Sequence, residues 1–340
     1  KLTGPYAAFK TILTQHNLGI LSEKAVTEAG DSYGDVDNLL GSGPFKVTEW
    51  VPNDHYTLVR NDNYWGEMPI ATSITCRVIP EGSARTIALE AGEIDVVWSV
   101  DPTDCANVES NPDVKLLSQP STGIDYVGMN TQKEKFSDKR VRQAINYAIN
   151  KEAYVAVVKN GNSEPGTSVI APKLQYYKGN DPYPYDIEKA KSLLAEAGYP
   201  DGFKTTLIFS NTSANMKQGE FLKQQLAEVC IDVELISLES AIVNEKVQDT
   251  DAPGAEAEVD MYIIGWSSST GDADWGIRPL LAKESEPPMS YNICYFENEE
   301  LDGYLKDGLN TADRDKRAEA YAKAQDLIWE ESHLVGLATD

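Results

Sequence analysis

From residue 123 onward, short apolar runs of strand length alternate with longer stretches whose apolar residues recur at helical spacing, which confines this part to an α/β architecture. Strands are expected at 123–130, 203–209, 231–236 and 259–265. One long helix is expected over 138–160, with Val141, Ile145, Ala148 and Val155 near one face and Gly161 as its stop. Asp186 is placed to cap a helix through Ala197, before Gly198. Further helices are read at 214–229, 241–247, 299–309 and 313–331, the last with Ala318, Tyr321, Ala324 and Ile328 on its inner stripe. Two helices therefore close the chain.

The first part reads differently. The tight turn Gly41, Ser42, Gly43, Pro44 leads into a β-hairpin of 45–50 with 55–60, joined through Val51, Pro52, Asn53 and Asp54. A strand at 73–79 follows, then a helix at 83–91 capped by Ser83, with Ile87 and Ala88 facing inward. A buried strand is expected at 94–98, a short helix at 101–111 and a strand at 114–117. Such a hairpin-rich segment fits a piece of a mixed sheet.

Charge excludes whole classes of partner. Lys and Arg number 30 against 54 Asp and Glu, a net −24 that opposes phosphate backbones and anionic lipid surfaces, so no nucleic-acid partner is expected. No apolar run approaches the roughly 20 residues of a membrane span. The four cysteines, Cys76, Cys105, Cys230 and Cys294, are widely spaced without a CxxC pair. They read as small buried hydrophobes, with a disulfide between some pair left open. The histidines, His16, His55 and His333, lie far apart, so neither a metal site nor a triad is expected, and no cofactor. The glycines at 41–43 lack the spacing of a phosphate loop, and Pro44 removes an amide that such a loop would use.

One stretch combines features suited to a polar ligand. The apolar run 261–264 passes through Gly265 and Trp266 into four consecutive hydroxyl residues, Ser267, Ser268, Ser269 and Thr270, then Gly271, Asp272, Ala273, Asp274 and Trp275. Hydroxyls and free backbone groups at a strand end hydrogen-bond polar solutes, and the two tryptophans offer flat apolar walls. The competing reading is a surface loop in which Asp272 caps the next helix. Asp272 and Asp274 also form the best-placed carboxylate pair for a surface hydrolase of glycosidase type.

At this stretch the chain resembles the extracytoplasmic solute-binding proteins of ABC importers, the peptide/nickel/opine-binding class known as family 5. The motifs run in order: GSGPFK at 41–46 with Glu49 and Trp50, RNDNYW at 60–65, RVIP at 77–80 with ALEAGEID at 88–95, MNT at 129–131 with DKRVRQAINYAI at 138–149, and Tyr185-Asp186 with GYPDGF at 198–203. GWSSSTGDADW at 265–275, with Pro279 and Leu280, is similar to the glutathione-binding members. Dipeptide binders carry an aspartate three residues after the Gly-Trp pair to hold the ligand's α-amine; that position is Ser269 here.

The resemblance implies a two-lobed periplasmic-binding-protein-like α/β fold (type II, large class) with mixed sheets, here an incomplete fragment. Residues 1–121 would be part of lobe I, 122–340 would be lobe II, and the hinge would lie near 119–123. It implies a monomer outside the cytoplasm, in the periplasm or as a cell-surface lipoprotein, its targeting segment absent from this chain. Such a protein catalyses nothing: it captures a short peptide or glutathione-like solute between its lobes and delivers it to ABC permease subunits. A nickel chelate or an opine is the alternative ligand within the family. Gly265, Trp266, Ser267, Ser268, Ser269, Thr270, Asp272, Asp274 and Trp275 would line the site. Tyr126 would face it, and Asn211 with Lys217, at the opening of a helix, would meet a ligand carboxylate.

Overall fold

A computed structural model of the chain describes residues 4–15 and 18–339. His16 therefore lies outside the described residues. The chain divides into two compact units, one of residues 16–118 and one of residues 1–15 with 119–340.

In the smaller unit, β1 (Phe45–Val51), β2 (His55–Arg60) and β3 (Ser73–Arg77) form an antiparallel sheet in that order. The expected hairpin is present: Asn53 adopts a left-handed φ of 62°, and the Asp54 N–H donates to the Val51 carbonyl at 3.1 Å. Asn61 ties the sheet to the preceding turn, giving its side-chain amide to the Gly43 carbonyl at 3.0 Å. Three expectations fail here. No strand forms at 94–98 or 114–117; Val96, Trp98 and Leu117 are 78%, 91% and 78% exposed. An apolar run becomes a strand only where a neighbour takes its ladder bonds, and among the described residues neither run has one. The helix is Gly82–Glu90, entered through Glu81 and not capped by Ser83. It buries Thr86 and Ala88 and leaves Ile87 exposed, because the Thr86 hydroxyl donates to Asp104 at 3.1 Å and fixes that face inward.

The larger unit is built on a six-stranded mixed sheet. Its strands are β4 (Gly123–Met129), β5 (Glu164–Pro165), β6 (Phe203–Ser210), β7 (Ile231–Leu238), β8 (Met261–Ser267) and β9 (Leu334–Thr339). Their order is β5-β9-β4-β8-β6-β7; β6 is parallel to β7 and β8, and the other pairs are antiparallel. Side chains alternate across β8. Tyr262, Ile264 and Trp266 enter a core with the helices Ala273–Leu281, Glu299–Asn310 and Arg314–Glu331, whereas Met261 and Ile263 enter one with Lys139–Ala148, Lys151–Val158, Ile187–Glu196 and Ser213–Ala227. Helices thus cover both faces of the sheet, as the alternating sequence pattern requires.

Three corrections concern this unit. The stretch read as one helix over 138–160 is two, Lys139–Ala148 and Lys151–Val158. Between them Asn150 is extended; its side chain caps the Ala153 N–H at 2.9 Å and its own N–H goes to Gln225 at 3.0 Å. A capping asparagine with an external acceptor outcompetes helix continuation. The chain ends not in two helices but in β9, all six of whose residues are buried. In the helix Arg314–Glu331, Tyr321, Ala324 and Ile328 are fully buried as read, but Ala318 is exposed and Arg317 takes the stripe position, 4% exposed. All four cysteines are free, and only Cys294 is buried; Cys230 is exposed.

Candidate functional site

The site is assembled where β8 outruns its neighbour. Met129 gives its N–H to the His333 carbonyl at 3.0 Å, and Asn130 gives its own to the Asp260 carbonyl at 2.9 Å. Backbone groups alternate in direction along a strand, so the even-numbered residues of β4 face β8. Paired across, Tyr262, Ile264 and Trp266 spend their backbone groups on Gly128, Tyr126 and Ile124. Met261, Ile263, Gly265 and Ser267 consequently turn theirs toward β6. Among the described residues that ladder consists of Leu207 with Met261 and Ile208 with Tyr262 alone. A parallel pair of Ile208 with Tyr262 is made by the residues flanking Tyr262, so the Ile263 N–H is spent on Ile208; the Ile263 carbonyl and the donors and acceptors of Gly265 and Ser267 are left on an open edge at the carboxyl end of two parallel strands, the position at which α/β sheets bind ligands.

On one face of that edge stands a polar cluster that the sequence did not flag. Asp125, opposite Gly265, would come within 3.3 Å of any Cβ placed there. Its carboxylate pairs with the Lys159 ammonium at 2.6 Å and accepts from the Tyr154 hydroxyl at 3.4 Å and the Gln218 amide at 3.5 Å. Gln218 is 6% exposed, and its Oε1 has no hydrogen-bond partner among the described residues. No spacing rule joins residues 125, 159 and 218; the sheet order brings them together.

Beyond β8 the hydroxyl loop divides in two. Ser268 and Thr270 are buried: Ser268 donates to the Asp272 carbonyl at 2.8 Å, and Thr270 accepts the Asp272 N–H at 3.3 Å. Ser267 and Ser269 are exposed, with Ser267 at 2.8 Å from the Thr122 hydroxyl. Trp266 and Trp275 are half-buried, and the Trp266 indole N–H donates to the Trp275 carbonyl at 2.8 Å. The loop is locked from below. Asp272 caps the helix Ala273–Leu281 through the Asp274 N–H at 2.9 Å, and its carboxylate receives both Arg317 nitrogens at 2.9 and 3.0 Å. Asp274 pairs with Arg278 at 2.8 Å and accepts from the Tyr321 hydroxyl at 3.0 Å. Burial outweighs the nearby charges in pushing the Tyr321 hydroxyl's pKa upward, and the Asp272 hydrogen bond keeps Arg317 firmly cationic despite its burial. Asp272 and Asp274 are 1% and 3% exposed, so both carboxylates are committed to arginines inside the protein.

The remaining candidates are dispersed. Tyr126 is 1% exposed, and its hydroxyl donates to the Val169 carbonyl. Asn211 is exposed at the end of β6, with its N–H given to Leu238 at 2.8 Å. Lys217 is exposed in a groove with Val157, Met216 and Phe221, one position along the helix from Gln218, which faces the edge of β8. Among the described residues no group of three or more His, Cys, Asp or Glu is arranged to hold a metal ion, and no helix is long and apolar enough to cross a membrane.

Comparison with known proteins fits this architecture. The profile of bacterial extracellular solute-binding proteins, family 5 middle region, matches residues 1–287. The glutathione-binding protein GsiB of Salmonella typhi is 34% identical over 342 residues, covering 100% of this chain and 66% of its own length. GsiB of Escherichia coli O157:H7 matches at the same identity and coverage. The chain thus spans 66% of the length of these curated relatives. Among solved structures, the periplasmic binding protein DppA of Helicobacter pylori, in complex with the peptide STSA, superposes with a TM-score of 0.87 at 29% identity, covering 99% of this chain and 65% of DppA. AgaA of A. tumefaciens R10, in complex with agropinic acid, gives 0.82 at 25% identity, covering 100% and 68%. The mixed α/β fold is that of periplasmic binding proteins, and the chain belongs to the bacterial extracellular solute-binding proteins of family 5.

Proposed function

We propose that the chain is the solute-capturing part of an ABC importer, taking a short peptide or glutathione-like solute and passing it to a membrane permease. The observation that carries this reading is the open edge of β8. An extended peptide satisfies alternating N–H and C=O groups by adding as a strand, and the Ile263 carbonyl with the N–H and C=O groups of Gly265 and Ser267 present such groups in register. Gly265 leaves room for the Asp125 carboxylate on one face of the edge, Ser267 and Ser269 add exposed hydroxyls, and the unpartnered Gln218 Oε1 offers an acceptor. Trp266 and Trp275 supply apolar walls. In this reading residues 1–121 belong to one lobe and 122–340 to the other, the protein works outside the cytoplasm as a monomer, and no bond is made or broken. The burial and pairing of Asp272 and Asp274 disfavour a hydrolase built on them.

Calorimetry with glutathione, dipeptides and oligopeptides tests the reading: heat is expected with at least one of them. Heat only with an opine, such as the agropinic acid bound by AgaA, or only with a nickel chelate would overturn the peptide assignment.

A further inference from the structure

We propose that the cavity beside Lys151 is a second ligand site, which takes a small monocarboxylate with a flat apolar body. The cavity, of about 370 Å³, lies within the larger unit and is lined by Lys151, Gly166, Ile170, Tyr177 and Tyr183, with Glu152 and Glu164 also on its wall. Lys151 opens the helix Lys151–Val158; Lys159, paired with the Asp125 that stands opposite Gly265, follows the other end of that helix. The cavity and the edge of β8 are therefore separate places, and this inference does not rest on the function proposed above.

The argument is one of unmet charge. Lys151 is 4% exposed, yet among the described residues no carboxylate lies within ion-pair distance of its ammonium. One carbonyl, that of Gly166, accepts at 3.3 Å, and the Trp329 ring lies under the charge at 4.9 Å. An ammonium has three donors, and a buried cation without an anion carries a large desolvation penalty. Burial accordingly pulls its pKa down to about 8, against an opposing push from Glu152. Both the donor residue and its acceptor line the cavity, which sets the cation at its wall.

The rest of the wall sets the ligand class. Ile170, Tyr177 and Tyr183 favour a flat apolar body. Glu152 and Glu164 are exposed and repel a second negative charge, so a monoanion is preferred over a phosphate ester or a dicarboxylate. The volume sits at the small end of ligand cavities, which fits a molecule the size of benzoate or 3-phenylpropionate.

Titration of the full chain with benzoate, 3-phenylpropionate and neutral benzamide tests the site. Saturable binding of a carboxylate at millimolar concentration is expected, with benzamide and Lys151→Met each weakening it at least about tenfold, or about 1.4 kcal/mol. Glutathione or dipeptide should leave carboxylate binding unchanged. Should Lys151→Met fail to fold, the Lys151 ε-carbon resonance of the wild type serves instead: its titration midpoint should rise when benzoate is bound. The proposal is overturned if neither carboxylate binds, if benzamide binds as well as benzoate, if a peptide displaces benzoate, or if the Lys151 titration does not move.

Discussion

Replacing His333 by Phe should remove a specific part of the protein's acid sensitivity. The imidazole is fully buried, both ring nitrogens lack a hydrogen-bond partner among the described residues, and the ring stacks on Phe296 at 3.9 Å and 12°. The groups nearest it give a proton no home. Cys294 donates its thiol to the His333 carbonyl at 3.4 Å and is itself pushed up to about 11 by burial, Tyr262 lies behind that thiol, and the nearby Arg142 is cationic, its guanidinium paired with Glu331. Burial first, then Arg142, hold the His333 pKa well below 6.5. The folded state therefore keeps a neutral ring at a pH where the unfolded chain takes up a proton, and stability falls as pH drops below the unfolded value. From linkage, the loss grows by about 1.4 kcal/mol per pH unit, and reaches about 1.4 kcal/mol at about pH 5.5 relative to about pH 7.5. His55 works the other way. Hydrogen bonds that its ring donates to Asp54 and Glu49 raise its pKa, so its contribution is full below the unfolded value and fades as pH rises through the folded one. Both proteins share His55, and it cancels in the comparison. The lowered carboxylates, Asp138 and Asp260, titrate in a more acid range. Urea unfolding of wild type and His333→Phe at the two pH values measures the difference. Phe preserves the stack on Phe296, so the variant should lose about 1.4 kcal/mol less than wild type between them. Equal losses in the two proteins would refute a neutral, unpartnered His333.

Other substitutions probe single contacts of the larger unit. Arg317→Met leaves the buried Asp272 carboxylate unpaired and should cost roughly 3–5 kcal/mol in chemical denaturation, part of it regained in the double variant with Asp272→Asn. Gly202→Ala forces a side chain onto a φ of +71° and places its Cβ 1.9 Å from the Cys230 carbonyl oxygen, so a loss of at least roughly 3 kcal/mol, or failure to fold, should appear in thermal melts. Asn150→Ala removes the cap between the two helices and should cost about 1 kcal/mol. Ser269→Asp puts an anion on the exposed side of the ligand loop and should tighten binding of a peptide with a free α-amine about tenfold, which calorimetry reads; unchanged affinity for every ligand would remove Ser269 from the site.

What could be read in advance depended on whether an element carries its own signal. The hairpin around Asn53, the cap at Asp186 and the helix Ser213–Ala227 announce themselves through turn and capping chemistry close in sequence. β9 does not: six apolar or small residues with no flanking alternation say nothing until β4 and β5 are in place to receive them. The runs at 94–98 and 114–117 show the converse, apolar sequence without a neighbour to make it strand. Asn150 was hidden because helical spacing continues across it, while the acceptor that draws its N–H aside, Gln225, is distant in sequence. The site divides along the same line. The loop after β8 was visible as a run of hydroxyls between tryptophans, but which hydroxyls face outward depends on Arg317, forty-five residues from Asp272. Asp125, Lys159 and Gln218 converge only through sheet order, and Arg317 takes the inward position that helical spacing alone gives to Ala318.

The early end of the β8–β6 ladder has a consequence for what this protein must avoid. Backbone groups left unbonded at the rim of a sheet invite another folded protein to dock its own rim strand, which is how native sheets begin to aggregate. Here the unbonded stretch belongs to a strand flanked on both sides within the sheet, with β4 along one side and β6 bound at the start of the other. A strand already held in another sheet brings its own neighbours to positions where β4 and β6 stand, whereas a single extended chain brings none. The same strand order that leaves hydrogen bonds open thus favours a lone segment over the rim of another sheet.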